Sequence, residues 1–233
     1  MAVAVVAGVG PGLGASLARR FSCGYDVALL ARRADYLAAL AREIRESGRV
    51  ACEFPTDLSR PDEIVRTFAE IRDRLGTADV LLYNAGSAAW GNLTAVSEVQ
   101  FESAWRVNAL GAFVCAKQVV GAMLERGHGA MLFTGATAGV KAGARSAAFG
   151  PAKFAVRGLA QSLARDLGPR GIHCVYVNID GVIDVPGRVR PTPTAEHEML
   201  QPDAIAEAYW YFAHQDRSAW SMEAELRPFK EKF

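Results

Sequence analysis

Short, unbroken apolar runs alternate along the chain with longer segments in which apolar residues recur every three to four positions. The runs fall at Val3–Ala7 and at 27–31, 50–54, 80–83, 131–133 and 174–177. They are continuous rather than alternating, as in strands covered on both faces. Between them, Leu37, Leu40, Ala41 and Ile44 keep helical spacing, and Ala155, Leu159, Leu163 and Leu167 mark one face of another helix. Strand–helix–strand alternation predicts an α/β fold: a Rossmann-type doubly wound parallel sheet of about seven strands with helices on both faces. The first helix is expected from Ala15, the longest helical tract over 97–125, and a last edge strand within 217–229, ahead of an exposed aromatic end. Residues 184–202, with Pro186, Pro191, Pro193 and Pro202, form a polar connection long enough to suggest a substrate or lid loop. No repeat interrupts the pattern, and 1–233 reads as a single domain.

Composition narrows the class. Half the residues are apolar (51%), so general disorder is excluded, and a net charge of +1 gives no reason to expect nucleic acid or a polyanionic partner. The segment before Gly8 lacks a basic leader and reads as a strand rather than a signal peptide. No window is expected to approach the roughly 20 apolar residues of a membrane span. Cys23, Cys52, Cys115 and Cys174 are scattered, as reduced core thiols of a cytoplasmic protein would be, and the four histidines are too dispersed for a metal site.

The chemistry begins after the first strand, at Gly8-Val9-Gly10-Pro11-Gly12-Leu13-Gly14. Glycines between a strand and a helix let the backbone approach a pyrophosphate, whose charge then rests on free amides at the helix N-terminus. A tight turn without a ligand is the alternative. The second strand closes on Ala31-Arg32-Arg33, where a protein preferring NAD carries a carboxylate for the ribose 2′-hydroxyl. Guanidinium groups suit a phosphate, so NADP(H) is preferred; if Arg32 and Arg33 only open a solvated helix, NAD(H) stays possible.

Further motifs follow in order: Asp57-Leu58 after the third strand, Asn84-Ala85-Gly86 after the fourth, Asn108 within Val107-Asn108-Ala109, and Lys153. With Gly8, Gly12 and Gly14, these resemble the motifs of the classical short-chain dehydrogenases/reductases, from the first strand to about Pro186. The resemblance implies an adenine contact at Asp57, a water-holding relay asparagine at Asn108 and a ribose-binding lysine at Lys153. It also implies a small-molecule substrate and a homodimer or homotetramer formed through the central helices and the sheet edge.

The departures bear on activity. Phe149, four residues before Lys153, stands where the family has its catalytic tyrosine, and Ala136, thirteen residues earlier, stands where it has serine. Tyr83 replaces the first asparagine usual before Asn84, and a shift of one residue would bring Thr137 into play for Ala136. In the family the tyrosine passes a proton to the reacting oxygen and the serine bonds the developing alkoxide. A positioned acid contributes roughly 10²–10⁴ in rate, and an oxyanion donor roughly 10²–10³. Asp180, at the end of the sixth strand, is a candidate substitute acid, or it merely holds a turn. Ser146 and Tyr83 are weaker candidates, and Trp90 either lines the substrate side or packs. Two functions follow: an NADP(H)-dependent oxidoreductase with a non-standard proton path, or a catalytically silent NADP(H)-binding protein acting as sensor or assembly partner.

Overall fold

A computed structural model describes residues 2–187 and 199–230. The strands are β1 (Val3–Ala7), β2 (Asp26–Ala31), β3 (Ala51–Pro55), β4 (Ala78–Tyr83), β5 (Gly129–Thr134), β6 (Ile172–Ile179) and β7 (Glu223–Leu226). The helices are α1 (Leu13–Phe21), α2 (Ala34–Glu46), α3 (Pro61–Arg74), α4 (Glu98–Trp105), α5 (Gly111–Arg126), α6 (Phe149–Leu167) and α7 (Pro202–Ala213). All strand pairs are parallel, in the order β3-β2-β1-β4-β5-β6-β7.

Burial on both faces explains why the strands are apolar without alternation. Val5 and Ala7 face a core shared with α3, α5 and α6, while Ala4 and Val6 face another shared with α1, α2 and α7. Leu29, Leu81 and Leu132 are fully buried, each worth about 2–3 kcal/mol against exposure. Helix boundaries follow local chemistry. Pro61 opens α3 with Asp62 and Glu63 in the first turn, and Gly127, at φ 68°, closes α5. Ser97 accepts from the Gln100 amide while the Gln100 side chain accepts from the Ser97 amide, a capping box that starts α4.

Four expectations need correction. The third strand is Ala51–Pro55 rather than 50–54, because Val50 lies in the exposed connection. The first helix starts at Leu13, where the glycine turn is already helical, not at Ala15. Cys115 and Cys174 are core thiols, but Cys23 is exposed beside Arg49 and Cys52 is half-buried. The tract Glu98–Arg126 is long and apolar enough to cross a membrane by length and composition, with mean hydropathy 1.5, contrary to the expectation that no window approaches a span. Half of that window is buried, and α5 packs on α3 and β4. Of the proposed loop 184–202, residues 188–198 lie outside the described residues.

Candidate active site

Strand order reverses beside β1, where connections leave towards opposite edges and the carboxyl ends of the strands open a crevice. A cleft of about 540 Å³ lies there. Four turns distant in sequence line it: Gly8–Gly10 after β1, Ala31–Arg33 after β2, Thr56–Ser59 after β3 and Asn84–Ser87 after β4, with Ser103 and Val107 closing one side.

Gly8 has φ +104°, and a Cβ there would collide with the backbone of Ala85. Its amide donates to Leu30 O at 2.9 Å. A Cβ at Gly14 would strike the Gly8 carbonyl, so α1 presses directly on the turn. Around Gly10 the space is open. No side chain caps α1 at Gly12; the Ala15 amide donates to Gly10 O at 3.0 Å and Gly12 O at 3.1 Å, which leaves the first two amides, of Leu13 and Gly14, without an intrahelical acceptor. Pro11 is exposed and Leu13 buried, and neither lines the cleft; Gly12 and Gly14 also shape the turn from outside its walls. Val185, at the start of the predicted lid, reaches over Gly12.

Arg32 and Arg33 stand on the cleft wall, with the Arg33 guanidinium 4.9 Å from the Tyr36 ring centroid. Burial opposes ionisation of Asp57, but the Ser59 amide and hydroxyl, helped by Arg32 and Arg60, outweigh it and hold the carboxyl below its usual range. Leu58 is buried against the same wall. The Asn84 side chain donates to Gly8 O at 2.9 Å, tying the β4 turn to the glycine turn. Its Oδ1 accepts from Thr134 Oγ1 at 3.2 Å, and Thr134 also bonds the buried Tyr209 hydroxyl at 2.8 Å.

Towards the far end, Arg106–Leu110 forms a single π turn between α4 and α5, a device that sequence periodicity does not reveal. It carries Asn108, whose amide donates to Ser87 O at 2.9 Å and Ala104 O at 2.8 Å. Asn108 Oδ1 is buried without a partner. A Cβ on Gly86 would lie 3.4 Å from that oxygen and 3.7 Å from Lys153 Nζ, so the three positions converge. Lys153 is buried and donates to Thr134 O at 2.8 Å; burial lowers its pKa to about 8. One helical turn earlier, the Phe149 ring centroid lies 5.7 Å from Nζ, and Trp90 packs on Phe149 at 5.1 Å.

Ala136 precedes a 3₁₀ turn at Thr137–Gly139 and offers no hydroxyl. Thr137 donates to Asp180 Oδ1 at 2.6 Å, and Asp180 Oδ2 faces the Arg227 guanidinium at 3.7 Å. The Asp180 backbone amide donates to Leu226 O at 2.8 Å, so this residue joins β6 to β7 as well as holding Thr137. Ser146 donates to Gly143 O at 2.7 Å, and the buried Tyr83 hydroxyl donates to Val107 O. Ala85 and Gly86 complete the cleft wall. The sequence reading missed Val9, Thr56, Ser59, Ser87, Ser103 and Val107 on that wall; adjacency to Asp57 and Asn84 was the available signal for several of them. Among the described residues, no group of acidic, histidine and cysteine side chains could hold a metal.

The crevice, glycine turn and lysine-bearing helix together define a nucleotide-binding oxidoreductase architecture. Residues 2–195 match the short chain dehydrogenase family model, and the chain belongs to that family. Its relatives include a short-chain dehydrogenase/reductase of Hericium erinaceus, 34% identical over 176 residues, which are 73% of this chain and 70% of the relative. A short-chain dehydrogenase from Rhodopseudomonas palustris superposes with TM-score 0.84 at 31% identity, covering 98% of this chain and 99% of that one. A variant of actinorhodin polyketide ketoreductase, solved with NADPH, superposes with TM-score 0.88 at 27% identity, covering 97% and 96%.

Proposed function

We propose that this chain is an NADP(H)-dependent oxidoreductase acting on a small carbonyl compound or alcohol by a proton path other than the family's. The observation that carries the reading is the convergence of four turns, bearing glycine, arginine, aspartate and asparagine in chain order, on one cleft at the strand-order reversal. The residues fit a dinucleotide: a glycine turn pressed close against Ala85, open space at Gly10, and the Leu13 and Gly14 amides at the start of α1. Gly8, Gly10, Pro11, Gly12, Leu13 and Gly14 would hold the pyrophosphate, Arg32 and Arg33 the 2′-phosphate, and Asp57 with Leu58 the adenine. Asn84, Ala85, Gly86 and Lys153 would hold the nicotinamide riboside. When bound, the reduced dinucleotide supplies two electrons and a hydrogen.

The chain's own groups then orient and shield. Lys153 anchors ribose hydroxyls and sets a positive potential, while the buried, unpartnered Asn108 Oδ1 is the acceptor that a relay water would use. We further propose a cytoplasmic location, on the four free cysteines, and a homodimer or homotetramer, on the exposed Phe101, Trp105, Phe113 and Phe154 of the central helices.

The silent NADP(H)-binding protein remains the second reading, favoured by the mutual engagement of Thr137 and Asp180, which leaves neither free as an acid. Fluorescence titration with NADPH and NADH tests the shared premise. Tighter NADPH binding is expected; tighter NADH binding overturns the role given to Arg32 and Arg33. Replacing Asp180 by Asn tests the proton path, since loss of turnover with NADPH affinity intact would make Asp180 the acid.

A further inference from the structure

Trp90 and Phe149 pack with ring centroids 5.1 Å apart and planes inclined by 56°. Trp90 is 61% exposed, unusual for so large an apolar ring. It is nevertheless held in place. Gly91 N donates to Arg145 O at 2.8 Å, and Ala147 N donates to Gly91 O at 3.1 Å, strapping this segment across the approach to α6. The link to the dinucleotide cleft runs through Lys153: a Cβ on Gly86 of the cleft wall would lie 3.7 Å from Nζ, and Nζ lies against the Phe149 ring. Beneath the Phe149 ring lies the buried Lys153 ammonium group, 5.7 Å from the centroid. The result is an apolar wall of two inclined rings, Trp90 exposed and Phe149 buried behind it, backed by one cation, with the hydroxyl and carboxyl of Thr137 and Asp180 bonded to each other.

We propose that this wall takes a planar conjugated carbonyl compound, an enone or quinone, whose reduction requires no side-chain acid. The proposal rests on the NADP(H) reading and names its substrate class. Reduction of a simple ketone places localised charge on an alkoxide oxygen, which needs a proton as the new C–H bond forms. Phe149 has none to give. In an enone the hydride equivalent from the reduced dinucleotide bonds to the β-carbon. The former C=C π pair moves to join the α-carbon to the carbonyl carbon, and the C=O pair moves to oxygen, giving a delocalised enolate. Water protonates the enolate afterwards, so the substrate gains two hydrogens in all. A quinone likewise gives a hydroquinonate anion, protonated by solvent. Lys153 stabilises either oxyanion electrostatically, and the exposed Trp90 ring stacks on the conjugated plane while the buried Phe149 ring backs Trp90.

Two measurements test it. First, 4-nitrophenol, a planar conjugated oxyanion, is titrated into protein saturated with oxidised NADP, following tryptophan quenching and the phenolate absorbance band. Bound probe is expected to ionise at lower pH than free probe, Lys153→Gln to abolish that shift, and Trp90→Ala to weaken binding by about 10-fold with unchanged melting. Unshifted ionisation, or binding indifferent to Trp90→Ala, overturns the proposal. Second, NADPH oxidation is compared with 2-cyclohexenone and cyclohexanone, with product identification. The enone is expected to react at least about 10²-fold faster, giving cyclohexanone, and Phe149→Tyr to narrow that gap by raising ketone turnover. Equal rates, a faster ketone or no enone turnover overturn it. Direct NADPH titration separates the two claims: failure to bind NADPH sinks the dinucleotide reading, whereas binding without enone preference sinks only this one.

Discussion

At one end of the cleft the working parts are backbone and fixed charge: the Gly8 turn, the open amides of α1, and Arg32 and Arg33 on the wall. At the other end they are side chains, namely Phe149, Trp90, Ala136 and the buried Lys153. The first end is over-determined, because helix α1 and the β4 turn both press on Gly8 and leave its conformation little latitude. At the second end, Phe149 and Ala136 present a ring and a methyl group rather than hydroxyls, and α6 and the turn after β5 form regularly beneath them. The proposed dinucleotide site is thus tied to the fold itself, whereas the proposed reaction depends on a few atoms that can vary over an intact scaffold.

The sharpest way to probe that contrast is to introduce hydroxyls at the second end. The pair Ala136→Ser and Phe149→Tyr is expected to raise turnover of simple ketones by on the order of 10³, with NADPH affinity changed less than about 3-fold. Steady-state kinetics beside binding titrations checks this, and an inert double variant would break the comparison. At the opposite end, Gly8→Ala must strain a positive φ and displace Ala85, so it is expected to cost about 3 kcal/mol of stability and most NADPH binding. Gly10→Ala, in open space, should leave denaturant melts nearly unchanged.

Lys153 links the ends through pH. Burial lowers its folded pKa to about 8, against 10.5 for an exposed lysine. Between those values the unfolded chain holds a proton that the folded chain has released, so the contribution of Lys153 makes stability rise with pH across that window. The rise is at most about 3 kcal/mol, and Lys153→Met should flatten it in melts of the ligand-free protein. A smaller effect belongs to Arg32→Ala, which should weaken NADPH by about 10-fold and leave NADH affinity unaltered in paired titrations. Equal weakening of both would place Arg32 away from the 2′-phosphate.

Much of this was legible in the chain. Continuous apolar runs identify doubly covered strands because packing on both faces leaves no polar side, and β1 matches its predicted bounds residue for residue. Glycine positions were readable because only close backbone approach demands them, as at Gly8 and Gly14. The π turn was hidden, since Asn108 lies in a tract whose composition is that of an ordinary helix. The Thr137–Asp180 bond joins residues 43 apart, and no local pattern announces such a partner. Cys23 was misjudged because average burial describes a residue type, not the exposed turn after α1 on which this one sits. The Trp90–Phe149 contact depends on backbone bonds between residue 91 and residues 145 and 147, which local periodicity cannot encode.

The Thr134 hydroxyl sits between Tyr209 on α7 and Asn84 beside the glycine turn. A helix on the outside of the molecule thereby has a three-link polar chain running through the sheet to the dinucleotide's doorstep. Displacement of α7, which begins just beyond residues 188–198, would be transmitted to Asn84 by the loss or re-aiming of a single hydrogen bond. Exchange of the Thr134 hydroxyl proton, followed by NMR with and without NADPH, would register that mechanical connection.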